Sequence, residues 1–394
     1  MNKTINCGRG AHIPYEDFMH LINLTFGFET PETQFLGLLP KLYKPAYRPQ
    51  DSNYVVTETA DDGTVTLTAA VGAFDHTITV AGRRLPCRGI GNVAVHPDHR
   101  SKGYMKMAME AAIEDMIKDG IVLSTLGGRR QRYQYFSYDK CGPCHTFALT
   151  ADNLRHTYGT LDAPYTVHAV ADTADPLIDA VKALSDASPV APERPRDTFL
   201  DIAETWHATL YAVTSGDRFV GYAIVEPNGF VTEARVATPE DFMPLMRSIF
   251  ATVGRESITV RLPAFETADL AAIAPIAEGV QTGCSMSYTV LNYTAVIDAF
   301  LALKASYATL SDGILTLLIH GRGGDERLRI SIEQNHPTVT VLPPDATAPA
   351  TVELSHMEAL NLLFAPFSPR RNTLPAPWNS WFPLPIWMYR ADEV

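Results

Sequence analysis

The spacing of hydrophobic and polar residues predicts strands and helices in a regular order along the first third of the chain. Residues 90–95 form an apolar run of strand length, and residues 121–126 form another. Between them, from 104 to 119, apolar residues recur as on one face of an amphipathic helix, and Gly120 stands where a helix usually ends. We therefore expect strand, loop, helix and strand in succession. Upstream, Thr30 followed by Pro31 has the form of a helix start.

The rest of the chain predicts two further regions of mixed structure. The second region repeats the early plan, with a helix, a hairpin turning at residues 215–217 and a helix start at Thr238-Pro239. From about residue 286 the pattern changes to a helix, a hairpin around residues 321–324 and a second helix, before a tail rich in Pro and Trp. The expected fold class is α/β (α+β), with three domains at residues 1–150, 151–285 and 286–394.

Composition excludes several classes of protein. Apolar residues make up 46% of the 394 residues and charged residues 19%, which is typical of a globular protein. No apolar run approaches the ~18 residues that span a bilayer, and residues 1–7 contain no apolar segment of the secretory type. We therefore expect a cytoplasmic protein with no membrane span. The five cysteines are an odd and sparse set, which favours reduced thiols over disulfides.

The net charge of −12 bears on the partners of the protein. No Lys- or Arg-rich run gives the basic footprint of a nucleic-acid binder, so nucleic acid is not an expected partner. An acidic protein attracts cations, which favours amines as substrates, although net charge also serves solubility.

The loop before the predicted helix carries the strongest chemical signal. It reads Val93-Ala94-Val95-His96-Pro97-Asp98-His99-Arg100-Ser101-Lys102-Gly103-Tyr104-Met105. Gly103 opens a helix whose free N–H groups and positive dipole end point at one spot, as in phosphate-binding sites. Arg100 and Lys102 add charge-assisted contacts. The alternative is a solvated helix start without a ligand, but the order of strand, loop, helix and strand favours phosphate binding.

This stretch resembles the acetyl-CoA-binding motif of the GNAT acetyltransferase superfamily, in which Arg or Gln is followed by two residues, Gly, one residue, and Gly or Ala. Arg100 and Gly103 match the first two fixed positions, and Met105 departs from the third. The resemblance implies that the backbone of Val93, Ala94 and Val95 pairs with the pantetheine arm. It also implies a pyrophosphate site made of Arg100, Ser101, Lys102, Gly103, Tyr104 and Met105.

The whole chain resembles the enhanced intracellular survival (Eis) family, in its length and in the segment Tyr133-Gln134-Tyr135-Phe136-Ser137-Tyr138. The Tyr-x-x-Phe-x-Tyr arrangement matches the signature of that family, with Ser137 where Gly is common. The resemblance implies tandem GNAT folds, with mixed central sheets flanked by helices, and a C-terminal sterol-carrier-protein-like α+β domain. It further implies acetylation of cationic amines such as aminoglycosides, or of lysine, and a homo-oligomer, either a hexamer or a trimer.

The same resemblance gives catalytic roles to Tyr133 and Val394. The Tyr133 phenol would protonate the thiolate that leaves when an amine attacks the thioester. The family uses the carboxylate of its last residue as the base, which here is Val394. An α-carboxylate with a pKa of ~3.5 is a weak base, so it must be desolvated or must mainly orient an ammonium group. The alternatives are aromatic residues that pack a strand edge and an acidic tail that is frayed.

Other motifs are given structural roles. In the second region, residues 231–241 place no glycine before the helix and put two carboxylates in its first turn, so this copy is not expected to bind coenzyme A. Residues 141–144 read Cys-Gly-Pro-Cys, but they run into a predicted strand, so a Gly-Pro turn explains them better than thioredoxin chemistry. The histidines at 96–99 have no distant ligand to complete a metal site, so no metal is expected. The glycines at 321–324 lie between strands, which favours a hairpin turn.

The leading hypothesis is an acetyl-CoA-dependent N-acetyltransferase that acts on a primary amine of a cationic small molecule, aminoglycoside- or polyamine-like, or of lysine. The alternative is a non-catalytic protein that senses coenzyme A or binds a lipid in its last domain, where Trp378, Trp381 and Trp387 would line an apolar site. A third hypothesis, thiol exchange at Cys141 and Cys144, requires a thiolate of low pKa.

Overall fold

Two β-sheets and the helices packed on them make up residues 3–30, 33–343, 351–374 and 376–394, which a computed structural model describes. The strands are β1 (Thr4–Arg9), β2 (Asn53–Thr59), β3 (Val65–Val80), β4 (Arg83–Val95), β5 (Leu123–Leu126), β6 (Asp139–Thr150), β7 (Thr166–Val170), β8 (Val190–Pro192), β9 (Thr209–Ser215), β10 (Arg218–Val225), β11 (Phe230–Val236), β12 (Ser257–Pro263), β13 (Gly279–Val290), β14 (Gly313–Gly321), β15 (Gly324–Glu333), β16 (His336–Val341) and β17 (Val352–Ser355). The helices are α1 (Tyr15–Phe26), α2 (Phe35–Leu38), α3 (Pro40–Tyr43), α4 (Tyr104–Lys118), α5 (Arg130–Gln134), α6 (Ala151–Tyr158), α7 (Ile178–Asp186), α8 (Phe199–Ala203), α9 (Phe242–Val253), α10 (Thr267–Ile273), α11 (Tyr293–Tyr307) and α12 (His356–Phe364).

The predicted order of strand, loop, helix and strand over residues 90–126 is confirmed. Strand β4 begins earlier than expected, at Arg83, and helix α4 connects it to β5, which lies parallel to β4. A parallel pair requires such a crossover, and the apolar face of α4 is buried on the sheet. Gly120, with a φ of 72°, supplies the left-handed residue that ends the helix.

The second half of the large sheet repeats this plan, and the α/β (α+β) fold class is confirmed. Strand β11, helix α9 and strand β12 follow one another as β4, α4 and β5 do, and β12 is parallel to β11. The antiparallel hairpin of β9 and β10 precedes them, as predicted. The large sheet thus contains two copies of one arrangement, consistent with tandem GNAT folds.

The two copies exchange strands. β6 follows the first copy in sequence but pairs with β12 of the second copy, whereas β13 follows the second copy and lies between β5 and β6. In the part of the chain that the structure describes, one sheet therefore runs through the order β1-β2-β3-β4-β5-β13-β6-β12-β11-β10-β9-β7, with β8 paired to β3. The domain boundaries at residues 150 and 285 stay a prediction, and β13 crosses the second of them.

The residues after β13, which we call the C-terminal region, form the second sheet in the order β16-β15-β14-β17, with helices α11 and α12. The hairpin turn at residues 321–324 is confirmed, because β14 and β15 pair up to Gly321 and Gly324. Trp381 and Trp387 are fully buried in the core that this region shares with the large sheet. Their rings therefore pack against protein and do not line an open apolar site.

Two further points complete the description. No helix among the described residues is long and apolar enough to cross a membrane. The helix start expected at Thr30 and Pro31 cannot be compared in full, because Pro31 lies outside the described residues.

Candidate active site

A bulge in β4 opens the sheet next to the predicted cofactor residues. β4 pairs with β5 up to Ile90, and its register against β3 shifts around Asn92, whose φ is 36°. The buried side chain of Asn92 holds this bulge, because its Oδ1 accepts from the Tyr43 hydroxyl and its Nδ2 donates to Asn53 Oδ1, both at 2.7 Å. Beyond the bulge, the backbone of residues 93–95 borders the gap that the two parallel strands leave.

The loop after β4 has the backbone shape of an anion site. Ser101 and Gly103 have φ angles of 65° and 82°, both left-handed, and α4 begins directly afterwards at Tyr104. A Cβ on Gly103 would meet no atom within 4 Å, so the backbone conformation, and not crowding within the protein, requires this glycine. The first N–H groups of α4 have no acceptor within the helix and point toward the loop.

A cavity of about 620 Å³ lies between this loop and the end of α1. Of the residues predicted to hold the cofactor, all except Ala94 and Lys102 line it. Its described walls also carry the cations Lys106 and Arg132 beside Arg100, and they include no carboxylate. The cavity therefore combines positive charge with a helix N-terminus, which is the environment that phosphate groups require.

Lys102 and Arg100 have different surroundings. The Lys102 ammonium lies 2.9 Å from the buried carboxylate of Glu58, which also accepts from Lys3 and from the Tyr104 hydroxyl at 2.6 Å each. These donors hold the pKa of Glu58 far below its usual range. Arg100 is exposed, and its guanidinium forms no hydrogen bond or ion pair with any residue that the structure describes. Arg100 is therefore available for a phosphate, whereas Lys102 shares the Glu58 carboxylate with Lys3.

Tyr133 lies on the short helix α5, which follows β5 on the other side of the gap. Its ring packs on Gly128, where a Cβ would stand 2.7 Å from Cε2 and where the φ of 128° also favours glycine. Burial raises the pKa of the Tyr133 phenol, opposed by the neighbouring Arg132. The phenol is therefore protonated at neutral pH, as a proton donor must be. Ser137 in the following turn has a φ of 69°, a conformation that glycine adopts most easily.

The tail is buried along most of residues 381–389 and ends beside β4. A Cβ at Gly89 would lie 2.6 Å from Val394 Cγ2, and one at Gly91 would lie 3.2 Å from the Val394 carbonyl carbon. The two glycines thus leave the space that Val394 occupies. Val394 therefore packs on β4 just before the Asn92 bulge, and residues 93–95 of the same strand follow directly after the bulge.

A buried ion-pair cluster fixes the tail just before this point. The guanidinium of Arg194 lies 2.7 Å from carboxylate oxygens of both Glu233 and Asp392, and all three side chains are buried. Burial raises the pKa of Asp392, but the charge of Arg194 lowers this pKa by more. The pKa of Asp392 is therefore below its usual value. Glu233 lies on β11 of the second copy, whereas Val394 packs on β4 of the first, so the tail is fixed between the two copies.

A second cavity, of about 550 Å³, adjoins Val394. The carboxylates of Asp75, Glu193 and Asp392 and the ammonium of Lys41 line it. All three carboxylates are paired with arginines, and Asp392 is buried. Asp75 and Glu193 are exposed, so these two can also attract a cationic ligand in the cavity.

The Cys-Gly-Pro-Cys sequence lies inside β6, so the prediction of a Gly-Pro turn leading into a strand is wrong. Gly142 has a φ of 77°, and a Cβ there would overlap Ser285 Oγ and the main chain of Ile386, which shows why glycine is needed where β6 meets β13 and the tail. Both thiols are buried, and burial raises the pKa of Cys141 far above its usual value. Cys141, the first cysteine of the motif, therefore lacks the low pKa that thiol exchange requires.

The histidines at 96–99 also have a structural explanation. His99 Nδ1 lies 2.9 Å from Glu58 Oε1, and the His96 ring accepts a hydrogen bond from the backbone N–H of Asp98. Among the described residues, no group of three or more His, Cys, Asp and Glu side chains is placed to hold a metal ion.

In the second copy, side chains of the protein itself occupy the start of the helix. A short turn, Pro239–Asp241, leads into α9. The Asp241 carboxylate accepts from Arg218 and Thr238 at 2.7 Å and from Tyr165 at 2.6 Å, and these donors, Arg218 foremost, hold its pKa well below the usual range. A fixed negative charge at this helix start disfavours a phosphate.

A left-handed glycine before the crossover helix and a tyrosine beyond the second strand fit the resemblance to the GNAT superfamily. In agreement, residues 14–142 match the family model described as Acetyltransferase (GNAT) domain. The chain thus carries a GNAT acetyltransferase domain, and the protein is an acetyltransferase.

Solved structures of similar fold extend over nearly the whole chain. A probable N-acyltransferase from Enterococcus faecalis V583 is 18% identical, with a TM-score of 0.64 over 92% of this chain and 90% of that one. A GCN5-related N-acetyltransferase from Anabaena variabilis ATCC 29413 is 12% identical, with a TM-score of 0.66 over 98% of both chains. Eis1 from Mycobacterium abscessus is 13% identical, with a TM-score of 0.54 over 92% of this chain and 90% of that one. The TM-scores show a common fold. No curated protein matches the sequence significantly.

Proposed function

We propose that the protein transfers the acetyl group of acetyl-CoA to a primary amine of a cationic small molecule, aminoglycoside- or polyamine-like, or of a lysine side chain. The observation that carries this proposal is the position of Val394 on Gly89 and Gly91, directly before the bulge at which β4 and β5 diverge. The proposed base is therefore next to the proposed site of the thioester.

The charges of the cavity between the loop after β4 and the end of α1 support acetyl-CoA as the donor. In the proposed complex the pyrophosphate lies at the N-terminus of α4, with Arg100, Lys106 and Arg132 on the cavity wall, and the pantetheine arm follows the backbone of residues 93–95. Ser101, Gly103, Tyr104 and Met105 shape the loop. Lys102 contributes least, because its charge is already paired.

These positions support one order of steps for the proposed reaction. The amine nitrogen attacks the thioester carbonyl carbon, the C–S bond breaks, and coenzyme A leaves as a thiolate. Tyr133 donates a proton to this thiolate, and the carboxylate of Val394 accepts the proton that the attacking nitrogen loses. Since an α-carboxylate is a weak base, it also orients the incoming ammonium group. This role requires Val394 to be the last residue of the protein, which intact-mass spectrometry measures.

The cavity beside Val394 supports the choice of a cationic acceptor. Asp75 and Glu193 present exposed carboxylates at its wall, each also paired with an arginine. A polyamine or an aminoglycoside carries several ammonium groups, so these carboxylates can attract it at more than one position. We therefore expect polycationic amines to be better acceptors than singly charged ones.

The test is a thiol-release assay with acetyl-CoA against aminoglycosides, polyamines and lysine peptides. We expect release that depends on the amine and is lost in Arg100→Ala. Tyr133→Phe should lower kcat by about 10²–10⁴-fold without weakening coenzyme A binding, whereas Tyr158→Phe, remote in sequence, should not. Tight coenzyme A binding without release on any amine would instead favour the non-catalytic alternative.

We also propose that the C-terminal region is a sterol-carrier-like scaffold, since Trp381 and Trp387 are part of the core and not of an open site. A cytoplasmic homo-oligomer, either a hexamer or a trimer, belongs to the same proposal. Light scattering that gives a clean monomer would count against it.

A further inference from the structure

The C-terminal region contacts the GNAT domain next to both of its proposed functional elements. Arg322, in the turn between β14 and β15, forms an ion pair with Glu110 on α4, the helix that follows the cofactor loop. His356, the first residue of α12, places its Nε2 atom 3.0 Å from the carbonyl oxygen of Ser137, in the turn that follows Tyr133. The hairpin turn of the second sheet thus lies close to α4, and the start of α12 lies close to the turn after Tyr133.

The hydrogen bonds of His356 define its tautomer. The backbone N–H of Arg322 donates to Nδ1 at 3.1 Å, so Nε2 carries the hydrogen that it shares between the Ser137 carbonyl and Thr289 Oγ1. The Tyr293 hydroxyl donates to the main-chain oxygen of His356 at 3.1 Å. Burial lowers the pKa of His356 to about 4, so the ring is neutral at physiological pH and keeps this arrangement.

The contact at Ser137 acts on the turn that carries Tyr133. The carbonyl oxygen of Tyr133 accepts from the backbone N–H groups of Phe136 at 2.9 Å and Tyr138 at 3.1 Å. Ser137 lies between these donors in a left-handed conformation, with a φ of 69°. A non-glycine residue is strained in this conformation, and the hydrogen bond from His356 helps to hold it.

The glycines of the hairpin turn bring this partner close. A Cβ at Gly323 would overlap the main chain of Leu291, so the turn and the end of β13 pack backbone to backbone. A hairpin turn by itself needs no such contact. The close packing of the turn on Leu291 therefore brings Arg322 and His356 into contact with the GNAT domain.

We propose that His356 is a positioning residue for Tyr133, and that the C-terminal region acts in catalysis by holding the turn of the proposed proton donor. This inference rests on the proposed function, which gives Tyr133 its role. It assigns the C-terminal region a task that does not depend on any ligand of that region.

The experiment compares His356→Leu and His356→Gln with a matched control, His320→Gln. His320 belongs to the same region but is half exposed and pairs with Asp325 and Glu353 on the surface. In His356→Leu we expect faster hydrogen–deuterium exchange across residues 130–139 and a kcat lower by about ten- to a hundredfold, because small displacements of a catalytic group cost that much. The KM for acetyl-CoA should not change. His356→Gln retains an N–H donor and should recover most of the loss, and His320→Gln should show neither effect.

A double variant separates positioning from general damage. If His356 acts through Tyr133, adding His356→Leu to Tyr133→Phe leaves kcat at the level of Tyr133→Phe alone. Losses that multiply would overturn the proposal, as would unchanged exchange across residues 130–139 in His356→Leu. If His356→Leu does not fold, His356→Asn, which is too short to reach Ser137, takes its place. A wild-type protein that releases no thiol with any amine refutes the proposed function, whereas the exchange measurement still decides whether His356 holds the turn.

Discussion

The ammonium nitrogen of Lys41 lies 2.7 Å from the carbonyl oxygen of Glu393, to which it donates a hydrogen bond. It also donates to the carbonyl oxygen of Ala391 at 2.5 Å, so the GNAT domain holds the tail on both sides of Asp392. Burial lowers the pKa of Lys41 to about 7, opposed by the charge of Asp392. Lys41 also lines the cavity beside Val394, so one side chain shapes the proposed acceptor site and fixes the end of the chain.

Replacing Lys41 with methionine should loosen the last residues and misplace the proposed base. We expect Lys41→Met to lower kcat by about ten- to a hundredfold and to let a carboxypeptidase remove Val394 faster, as followed by intact mass. Lys44→Met is the control, because Lys44 pairs with Asp201 at 2.6 Å and does not contact the tail. Equal rates of removal in wild type and Lys41→Met would show that Lys41 does not hold the tail.

A larger residue at Gly91 should displace Val394. The Cβ of Gly91→Val would stand 3.2 Å from the Val394 carbonyl carbon and 3.3 Å from the Phe74 ring, and its methyl groups add further overlap. Overpacking of this kind costs about 1–3 kcal/mol, so we expect a folded protein with strongly reduced thiol release. Gly8→Val on β1 is the comparison, since a Cβ there meets no atom within 4 Å. Full activity in Gly91→Val would contradict the position given to Val394.

Loss of Arg194 should destabilise the whole protein. Arg194→Met leaves the buried carboxylates of Glu233 and Asp392 without their cation, and removing one partner of a buried pair costs about 3–5 kcal/mol. Urea unfolding at pH 7 measures this change. Arg196→Met, two residues on, removes an exposed pair with Asp179 and should leave the midpoint unchanged. Similar midpoints for the two variants would argue against a stabilising role for the cluster.

The free energy of unfolding at acidic pH should depend on the ionisation of Asp392. Its pKa is lower in the folded protein than its usual value, so the folded state binds fewer protons in the window between the folded and the usual pKa. The stabilisation is therefore present above pH ~4 and is lost as the pH falls through the folded pKa. The difference in unfolding free energy between wild type and Asp392→Asn should narrow from pH 5 to pH 3. A constant difference would mean that Asp392 does not titrate in this range.

Local features of the sequence are sufficient to predict the strands and the helix around the proposed cofactor loop. The apolar periodicity of α4, the glycine before it and the short strands around it all lie within some forty residues, and the structure confirms these elements. Glycine weakens a strand and often marks a close approach of another backbone, and β4 contains glycines at 89 and 91. They were the available signal for the place where Val394 lies.

Contacts between distant parts of the chain could not be predicted in the same way. The pairing of Glu58 with Lys102, and of His356 with Ser137, depends on how separate elements pack, and nothing in the neighbouring sequence indicates it. Gly and Pro usually mark a turn, so the Cys-Gly-Pro-Cys sequence by itself predicts one. In the structure it is held in β6 by strand β13, whose insertion no local pattern signals.

The exchange of β6 and β13 determines when the chain can fold during its synthesis. Until the segment 279–290 has left the ribosome, β5 lacks the strand that separates it from β6. Proteins commonly fold from the N-terminus as they emerge from the ribosome. In this chain, one edge of β5 stays unpaired until β13 has been synthesised. An unpaired strand edge can associate with other nascent chains. The GNAT domain is therefore completed by residues translated long after it, so a gene fragment that encodes residues 1–150 alone specifies an unfinished sheet.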